Sequence, residues 1–354
     1  SVRQIFPHLW DRRTDENIRK IAQFIKRFVD REGCMEFDVS AVCAIVEYSS
    51  RTAERQDKLS TRFNHLAEIL CEAVTWAKLE GAELVTAAHI QKTIYEKEQR
   101  MKLYEEKLDE MLEENVIMID TEGAEIGQIN GLAVLDMGNY AFGNPSRITA
   151  TTYVGKSGIV NIEKEARLSG QTHDKGVQII TGFLGQTYAQ NFPLSLSCRV
   201  CFEQNYNGID GDSASSTELY CILSSLAELP IRQDLAVTGS VNQKGEIQAI
   251  GGGAPIIEGF FDLCRKRGMT GTQGVIIPVS NVKDLVLKDE VVQAVKDGLF
   301  HIYPISKIDE GIELLMGLSA GKKNKAGNFP ANSVHGRVIQ KLKAFDKRAQ
   351  GEEE

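Results

Sequence analysis

The residues best suited to covalent chemistry in this sequence surround Ser213. Residues 210–215 read Asp-Gly-Asp-Ser-Ala-Ser, and apolar residues at helical spacing follow as far as Leu226. This pattern predicts a helix that begins at Ser213, where unpaired backbone N–H groups and the positive end of the helix dipole lie. Such donors could stabilise the oxyanion that forms when a serine hydroxyl attacks a carbonyl. The same residues also suit a plain helix cap, and the segment alone does not separate the two roles.

Two weaker motifs indicate neither a metal site nor a nucleotide site. Cys198 and Cys201 form a Cys-x-x-Cys pair, but no second pair or histidine pair stands at zinc spacing. In the strand predicted over residues 194–202, alternation places the two thiols on opposite faces. Residues 155–157, Gly-Lys-Ser, resemble the end of a phosphate loop, yet Ala150 replaces the required upstream glycine and no helix pattern follows. We therefore predict no metal and no ATP binding at these positions.

Composition limits the classes of protein to which the chain can belong. Its 354 residues are 42% hydrophobic and 25% charged, which is typical of two globular domains. A net charge of −8 argues against nucleic-acid binding through a broad basic face. No apolar run is long enough to span a membrane. The seven cysteines are odd in number and indicate free thiols in a reducing, cytoplasmic compartment. Because the chain begins at Ser1 without a methionine or a signal peptide, we expect a piece of a longer polypeptide.

The pattern of elements changes near residue 115, from helical to mixed. Predicted helices begin near Asp15 (ending at Gly33), at residue 42 with Asp38 or Ser40 as the cap, at residue 59, and after the cap Thr86. Predicted strands lie at residues 116–120, 131–135, 148–154, 194–202, 235–241, 274–278 and 301–303, with helices between them. We predict an α+β chain in four parts: an all-α domain over residues 1–97, a charged connecting helix over 98–115, a mixed α/β domain over 116–318, and a polar tail over 319–354. The tail is expected to be mobile and to carry one short helix.

Several blocks in a consistent order resemble the Lon family of ATP-dependent peptidases. The resemblance is nearest to a bacterial Lon-like branch whose nucleophile loop reads Gly-Asp-Ser-Ala-Ser. The matching blocks are residues 127–132, 194–215, 237–245, 250–252, 258–261, 271–278 and 327–330. The resemblance implies an α+β peptidase domain preceded by the small helical lid of an AAA+ ATPase. It also implies a homohexameric ring that acts on unfolded or damaged polypeptides.

The lid resemblance carries one candidate nucleotide-binding residue. Arg62 stands where such lids often place an arginine directed at nucleotide, although a plain surface arginine is the alternative. The ATPase core itself does not occur in the sequence. We therefore expect no cofactor in this chain, and ATP with Mg²⁺ only in an upstream core.

The resemblance also assigns the site residues. Lon peptidases use a Ser–Lys dyad, in which a neutral lysine takes the proton from the serine hydroxyl. Ser213 matches the nucleophile, Thr238 matches a threonine that orients the lysine, and Asp210 matches a supporting acid. The lysine should stand four residues after the second glycine of Ile-Gly-Gly, where this chain has Ile256. Matching blocks on both sides fix this register.

Ile256 can neither accept nor donate a proton, so the resemblance predicts an inactive or severely impaired peptidase. Loss of general-base help costs roughly 10²–10⁴-fold. Lys175 and Lys244 would have to reach the site by unrelated routes. The alternative is a non-catalytic pseudo-peptidase that serves as a ring-forming scaffold or a substrate-binding chamber, and the change at residues 253–256 could be natural or deliberate. We expect Ile256→Lys alone to restore little cleavage, because the Gly-Ala-Pro backbone before it should also misplace the new amine.

Overall fold

The computed structural model describes residues 10–138 and 140–351, which divide into two compact units. The helical unit comprises the described residues of Ser1–Leu108, Gly138–Tyr140 and Lys283–Leu287. The sheet unit comprises the described residues of Asp109–Met137, Ala141–Val282 and Lys288–Glu354. The predicted α+β class is confirmed.

Four helices and a short two-stranded antiparallel sheet form the helical unit. Strand β1 (Trp10–Arg12) pairs antiparallel with β2 (Lys58–Ser60). The helices are α1 (Asp15–Glu32), α2 (Val39–Thr52), α3 (Phe63–Leu79) and α4 (Ala87–Met101), and α5 (Leu103–Glu113) follows. Apolar side chains at helical spacing meet in a buried cluster that includes Ile21, Ile45, Leu66, Leu70 and Ile90. Packing of these amphipathic faces supplies most of the stability of such short helices.

Local capping signals in the helical unit acted as the sequence predicted. Asp38 caps α2, and its carboxylate accepts the Ala41 amide at 2.8 Å. Thr86 caps α4 through a capping box with His89. Gly33 ends α1 in the left-handed conformation, at a φ of 58°. The predicted start of the third helix was wrong, because Leu59 lies in β2 opposite Asp11 and α3 begins only at Phe63.

The sheet unit is built on a mixed sheet in which seven strands are described. Its strands are β4 (Gln128–Asp136), β5 (Ala141–Val154), β6 (Gly158–Asn161), β7 (Leu196–Phe202), β9 (Leu235–Val237), β12 (Gly274–Pro278) and β13 (His301–Ile305), in the spatial order β13-β12-β9-β4-β5-β7-β6. Two further pairs of short strands are antiparallel: β3 (Ala124–Glu125) with β8 (Ile231–Arg232), and β10 (Ser240–Val241) with β11 (Ile247–Gln248). The pairs β13–β12, β12–β9 and β9–β4 are parallel. The pairs β4–β5 and β5–β7 are antiparallel, and β7–β6 is again parallel.

The helices of the sheet unit surround one central helix. They are α6 (Ile162–Glu165), α7 (Gln171–Tyr188), α8 (Ser215–Ala227), α9 (Gly253–Arg267), α10 (Asp289–Lys296), α11 (Ile308–Met316) and α12 (Val334–Ala349). Twelve of the thirteen residues of α8 are buried, because the sheet and other helices cover it on nearly all sides. In the described residues of both units, no helix is long and apolar enough to cross a membrane.

Two strand predictions were wrong. Residues 116–120 are irregular, and the side-chain amide of Gln204 takes the place of a strand partner for them. It accepts the Met118 amide at 2.8 Å and donates to the Val116 carbonyl at 2.7 Å. The strand predicted over residues 235–241 is interrupted after Val237, because the backbone turns at Gly239 with a φ of 153°.

The expected mobile tail is also corrected. Helix α12 occupies Val334–Ala349 and packs its apolar stripe into the core of the sheet unit. The stripe consists of Val334, Val338, Leu342 and Phe345, which lie on one face at helical spacing. The high lysine and glycine content of the tail concealed this stripe, since the polar residues lie on the outer face.

Tight backbone contact seats α9 against β5. A Cβ atom on Gly259 of α9 would lie 2.2 Å from the Gly143 carbonyl oxygen of β5. A Cβ atom on Gly143 would in turn lie 2.3 Å from the Pro255 carbonyl oxygen. Only glycine permits this approach of helix to strand, and the approach fixes the first turn of α9.

We expect Phe345→Ala to lower the free energy of unfolding of the sheet unit by about 3–5 kcal/mol, because it empties a buried position. Native-state hydrogen exchange of the α8 amides measures this free energy. Tryptophan fluorescence would not follow the sheet unit, because both tryptophans (Trp10 and Trp76) lie in the helical unit. The exposed neighbour Lys343→Ala is the matched control and should cost less than about 0.5 kcal/mol. Equal effects of the two substitutions would show that α12 is not part of the core.

We expect Gly259→Ala to destabilise the same unit by about 1–3 kcal/mol, because the new methyl group meets the β5 backbone. Gly185→Ala in α7 is the matched control, since a Cβ atom there meets nothing within 4 Å. That control should stabilise by about 0.4–1 kcal/mol. Hydrogen exchange of the α8 amides distinguishes the two, and a stabilising Gly259→Ala would contradict the close contact.

Candidate active site

Ser213 lies in the turn that leads into α8. The predicted helix start was two residues early, because α8 begins at Ser215 with Ala214 as its N-cap. Gly211 has a φ of 92°, a conformation that favours glycine and that turns the chain toward Ser213. The serine is half-buried and stands beside the N-terminus of a helix whose own body is buried.

A cavity of about 360 Å³ opens at Ser213. One wall is the β4 backbone over residues 131–134, and another is formed by residues 249–251 and Ile256. The nucleophile-loop residues 210–214 form the floor. Ser213 and Ile256, the two dyad positions identified by resemblance, therefore face the same cavity.

Two backbone donors at this cavity are available to a ligand. Among the described residues, no acceptor pairs with the amides of Ser213 or Ala214. The next two amides are occupied, since Ser215 N–H donates to the Asp212 carbonyl and Ser216 N–H donates to the Gly239 carbonyl, each at 3.1 Å. Unpaired backbone amides beside a serine hydroxyl are the kind of donor that an oxyanion site uses.

Hydroxyl groups on α8 hold the Ser213 turn against residues 237–241. The Ser216 hydroxyl donates to the Gly239 carbonyl at 2.6 Å, and the Thr217 hydroxyl donates to the Val237 carbonyl at 3.1 Å. The Ser215 hydroxyl accepts the Val241 amide at 3.0 Å. Sequence reasoning missed these three residues, although a run of hydroxyls in the first turn of an otherwise apolar helix is a visible signal.

Thr238 lies directly beside the nucleophile. Its hydroxyl is 3.5 Å from the Ser213 carbonyl oxygen, and the neighbouring Gly239 amide donates to the same oxygen at 2.7 Å. Thr238 is 1% exposed. The structure thus brings Thr238 together with Ser213, through the serine backbone.

Asp210 acts through α7 rather than on the serine hydroxyl. Its carboxylate accepts the backbone amides of Thr172 at 3.1 Å and His173 at 3.3 Å, in the first turn of α7. Hydrogen bonds from backbone amides, that of Gly211 foremost, hold the pKa of Asp210 below its usual value. Asp210 therefore anchors the loop that carries Ser213.

Ile256 lies in the first turn of α9 and is 2% exposed. Gly252 precedes the helix in the left-handed conformation, and the Ile256 amide donates to the Gly252 carbonyl at 3.4 Å. The backbone before residue 256 is thus a regular helical start, with Pro255 at a position where the first turn tolerates proline. Ile256 lines the Ser213 cavity from this regular helical start, so the misplaced backbone expected from the sequence is not seen.

No lysine, arginine or histidine is among the described residues that line the cavity. Lys175 on α7 and Lys244 in the turn between β10 and β11 are both exposed. The lining includes two carboxylates, of which Asp210 is committed to α7 and Asp212 accepts the Ser240 hydroxyl at 3.1 Å. Among the described residues that line this cavity, none therefore carries a side-chain amine.

The remaining candidate residues lie elsewhere. Arg62 is exposed at the start of α3 in the helical unit. Cys198 and Cys201 are free thiols, and burial raises the pKa of each to about 12. In the described residues, no group of three or more His, Cys, Asp or Glu side chains is arranged to hold a metal ion.

Comparison with known proteins finds two family models in the chain. Residues 36–100 match the AAA+ ATPase lid domain of archaeal LonB. Residues 200–317 match the C-terminal proteolytic domain of Lon protease (S16). Together these matches fall in both units of the structure.

Curated relatives carry the same name. A putative Lon protease homolog of Escherichia coli K12 is 43% identical over 218 residues, covering 61% of this chain and 37% of the relative. A putative Lon protease homolog of Haemophilus influenzae is 35% identical over 318 residues, covering 88% of this chain and 51% of the relative. The archaeal Lon protease of Pyrococcus abyssi is 30% identical over 329 residues, covering 88% of this chain and 30% of the relative.

This chain spans about half or less of the length of these relatives. The lid model matches residues of the helical unit, and the proteolytic-domain model matches residues that lie mainly in the sheet unit. The relatives bear the name of the same family. The chain belongs to the Lon protease family.

Proposed function

We propose that this chain is the proteolytic module of a Lon-type peptidase for unfolded or damaged polypeptides, in which catalysis by Ser213 is absent or severely impaired. The observation that carries the proposal is the pairing in one cavity of Ser213 with Ile256, a buried apolar side chain at the position of the general base. The reaction class, peptide hydrolysis, follows from the family, and the expected loss of activity follows from Ile256 at the position of the general-base lysine.

The free edge of β4 supports binding of an extended polypeptide. β4 pairs with β9 only at Asn130 and Gly131, so beyond that point its second edge has no described strand partner. The cavity lies along this edge, at residues 131–134. An extended chain can add there as a strand, because main-chain hydrogen bonds give affinity with little demand on sequence. A carbonyl of such a chain could then reach the open amides of Ser213 and Ala214.

The missing step is deprotonation of the serine hydroxyl. The Ser213 hydroxyl makes no hydrogen bond to any residue that the structure describes. Without a base, a neutral hydroxyl is a weak nucleophile at pH 7, and positioned bases contribute roughly 10²–10⁴-fold. Where catalytic partners act as a unit, loss of one can remove nearly all of the covalent chemistry.

A second candidate function is a non-catalytic module, either a ring-forming scaffold or a substrate-binding chamber. The same buried Ile256 favours it, because an apolar lining suits retention of apolar segments without turnover. In either function we propose a homohexamer in the cytoplasm, with ATP and Mg²⁺ used by an ATPase core outside this sequence and with Arg62 directed at that nucleotide. These statements rest on the family resemblance.

We expect the chain to cleave casein or an unstructured fluorogenic peptide no faster than its Ser213→Ala variant does. The substitution should leave peptide binding within about twofold, since the strand edge and the cavity walls are unchanged. Product formation and fluorescence anisotropy measure the two quantities on the same samples. Cleavage that Ser213→Ala abolishes would contradict the impaired site, and absence of peptide binding would contradict the bound strand.

We expect Ile256→Lys to raise Ser213-dependent cleavage by about 10²–10⁴-fold over the unsubstituted chain, because residue 256 already faces the cavity. Burial should lower the pKa of the new amine from about 10.4, so the rate should rise as pH passes through that lowered pKa. The double variant Ile256→Lys/Ser213→Ala is the control and should show no gain. Ile256→Met, of similar length and without an amine, should also show none. Failure of Ile256→Lys in a folded protein would show that residue 256 does not face Ser213 productively.

A further inference from the structure

Behind the nucleophile loop lies a buried polar group that the proposed chemistry does not use. It consists of Glu163 on α6, His173 on α7 and Glu218 on α8, which are 3%, 1% and 1% exposed. Within the residues that the structure describes, four of their polar atoms have no hydrogen-bond partner: His173 Nε2, both carboxylate oxygens of Glu218, and Glu163 Oε2. Buried polar atoms are nearly always paired, so this cluster calls for a physical explanation.

The His173 ring connects the cluster to the nucleophile loop. The His173 ring stands beside the Gly211 backbone, two residues before Ser213, whose polarity favours the protonated ring. Within the described residues Nε2 has no hydrogen-bond partner, so the ring proton is assigned to Nδ1. A neutral imidazole with its proton on Nδ1 presents a lone pair at Nε2. The backbone N–H of His173 also donates to the Asp210 carboxylate at 3.3 Å, which holds the start of the nucleophile loop against α7.

Glu218 stands on the other side of the ring. Its Oε1 lies 3.5 Å from His173 Nε2, in the first turn of α8 and five residues after Ser213. A carboxylate facing a lone pair would be repelled by it. A carboxylic acid could instead donate its proton to Nε2 after a shift of a few tenths of an ångström. We propose that Glu218 is a neutral carboxylic acid that donates to His173 Nε2, and that the two are positioning residues for the nucleophile loop.

The surroundings favour the neutral pair over an imidazolium–carboxylate ion pair. The facing groups that titrate are Glu163 on α6, Asp174 on α7, Asp210 in the loop, Cys198 on β7 and Cys221 on α8. Burial, followed by the charge of Glu163, raises the pKa of Glu218 well above its ordinary value. Burial also lowers the pKa of His173. An ion pair at this place would further lack the extra hydrogen bonds that a buried pair needs.

The pair would join the segments on both sides of Ser213. His173 holds Asp210 before the serine, and Glu218 belongs to the helix after it. A proton on Glu218 would therefore link α7 to α8 behind the turn. This inference rests on the proposed function only in treating Ser213 as the nucleophile position, and its test needs no cleavage.

A neutral Glu218 has a defined signature in the pH dependence of stability. Above about pH 4.3 the unfolded chain releases this proton, whereas the folded chain keeps it. Folded-state stability from this residue is therefore lost as pH rises toward the raised pKa. Relative to Glu218→Gln, the unfolding constant of the unsubstituted chain should rise about tenfold per pH unit from pH 5 upward.

The experiment is urea unfolding of the full chain from pH 5 to 8, followed through NMR signals of buried methyl groups such as those of Leu223 and Val338. Glu218→Gln is the test variant, because the amide is neutral and keeps a donor for His173. Glu228→Gln is the matched control for an exposed carboxylate, since Glu228 caps the C-terminal end of α8 and pairs with Lys341. In parallel, ¹⁵N NMR of His173 should show a proton on Nδ1 and none on Nε2 across this range.

Three results would overturn the proposal. If the ratio of the unfolding constants of the unsubstituted chain and Glu218→Gln does not change with pH, Glu218 is ionised in the folded chain. A Glu218→Gln chain that fails to fold at pH 7 would point to a buried ion pair, since only then does the isosteric amide strand a charge. A His173 ring protonated on both nitrogens at pH 7 would do the same. The ¹H–¹⁵N chemical shifts of the Ser213 and Ala214 amides test positioning: they should move in Glu218→Ala and stay unchanged in Glu218→Gln.

Discussion

The structure around Ser213 depends on the burial of α8. Twelve of its thirteen residues are buried, so water cannot hydrogen-bond the backbone groups in its first turn or those of the adjacent residues 237–241. The hydroxyls of Ser215, Ser216 and Thr217 meet this need by bonding residues 237–241. The turn that carries Ser213 is fixed as a consequence, since its carbonyl oxygen is held by the Gly239 amide. Buried polar groups of this kind cost free energy unless each is paired.

The second dyad position is fixed by a different constraint. Gly143 and Gly259 let α9 approach β5 at a distance that no side chain permits. The first turn of α9 is therefore held by backbone contacts that do not involve the side chain of residue 256. A chain can in this way retain the architecture of a Ser–Lys site while it lacks the lysine. The family membership and the apolar residue at the base position are compatible for this physical reason.

Much of the fold could be predicted from the sequence because its signals are local. The caps at Asp38 and Thr86 and the stop at Gly33 depend on a few adjacent residues, and the main strands follow from alternation. The errors arose where distant residues decide the outcome. Leu59 pairs with β1, residues 116–120 bond the side chain of Gln204, and α12 is ordered by a core that is distant in sequence. For the site, block order placed Ser213 and Ile256 at one cavity, but the role of Asp210 as an anchor for α7 and the cluster at His173 needed three-dimensional contacts.

The central claim is that Ser213 is accessible but has no base. Phosphonylation by a small fluorophosphonate, followed by intact-mass spectrometry and peptide mapping, tests it without any assumption about substrate. At pH 7 we expect Ser213 to react no faster than the other accessible serines of the chain, because activation of the hydroxyl by a base supplies the usual enhancement of roughly 10²–10⁴-fold. Rapid, stoichiometric labelling confined to Ser213 would contradict the claim, since it would show that another group in the folded chain activates this hydroxyl.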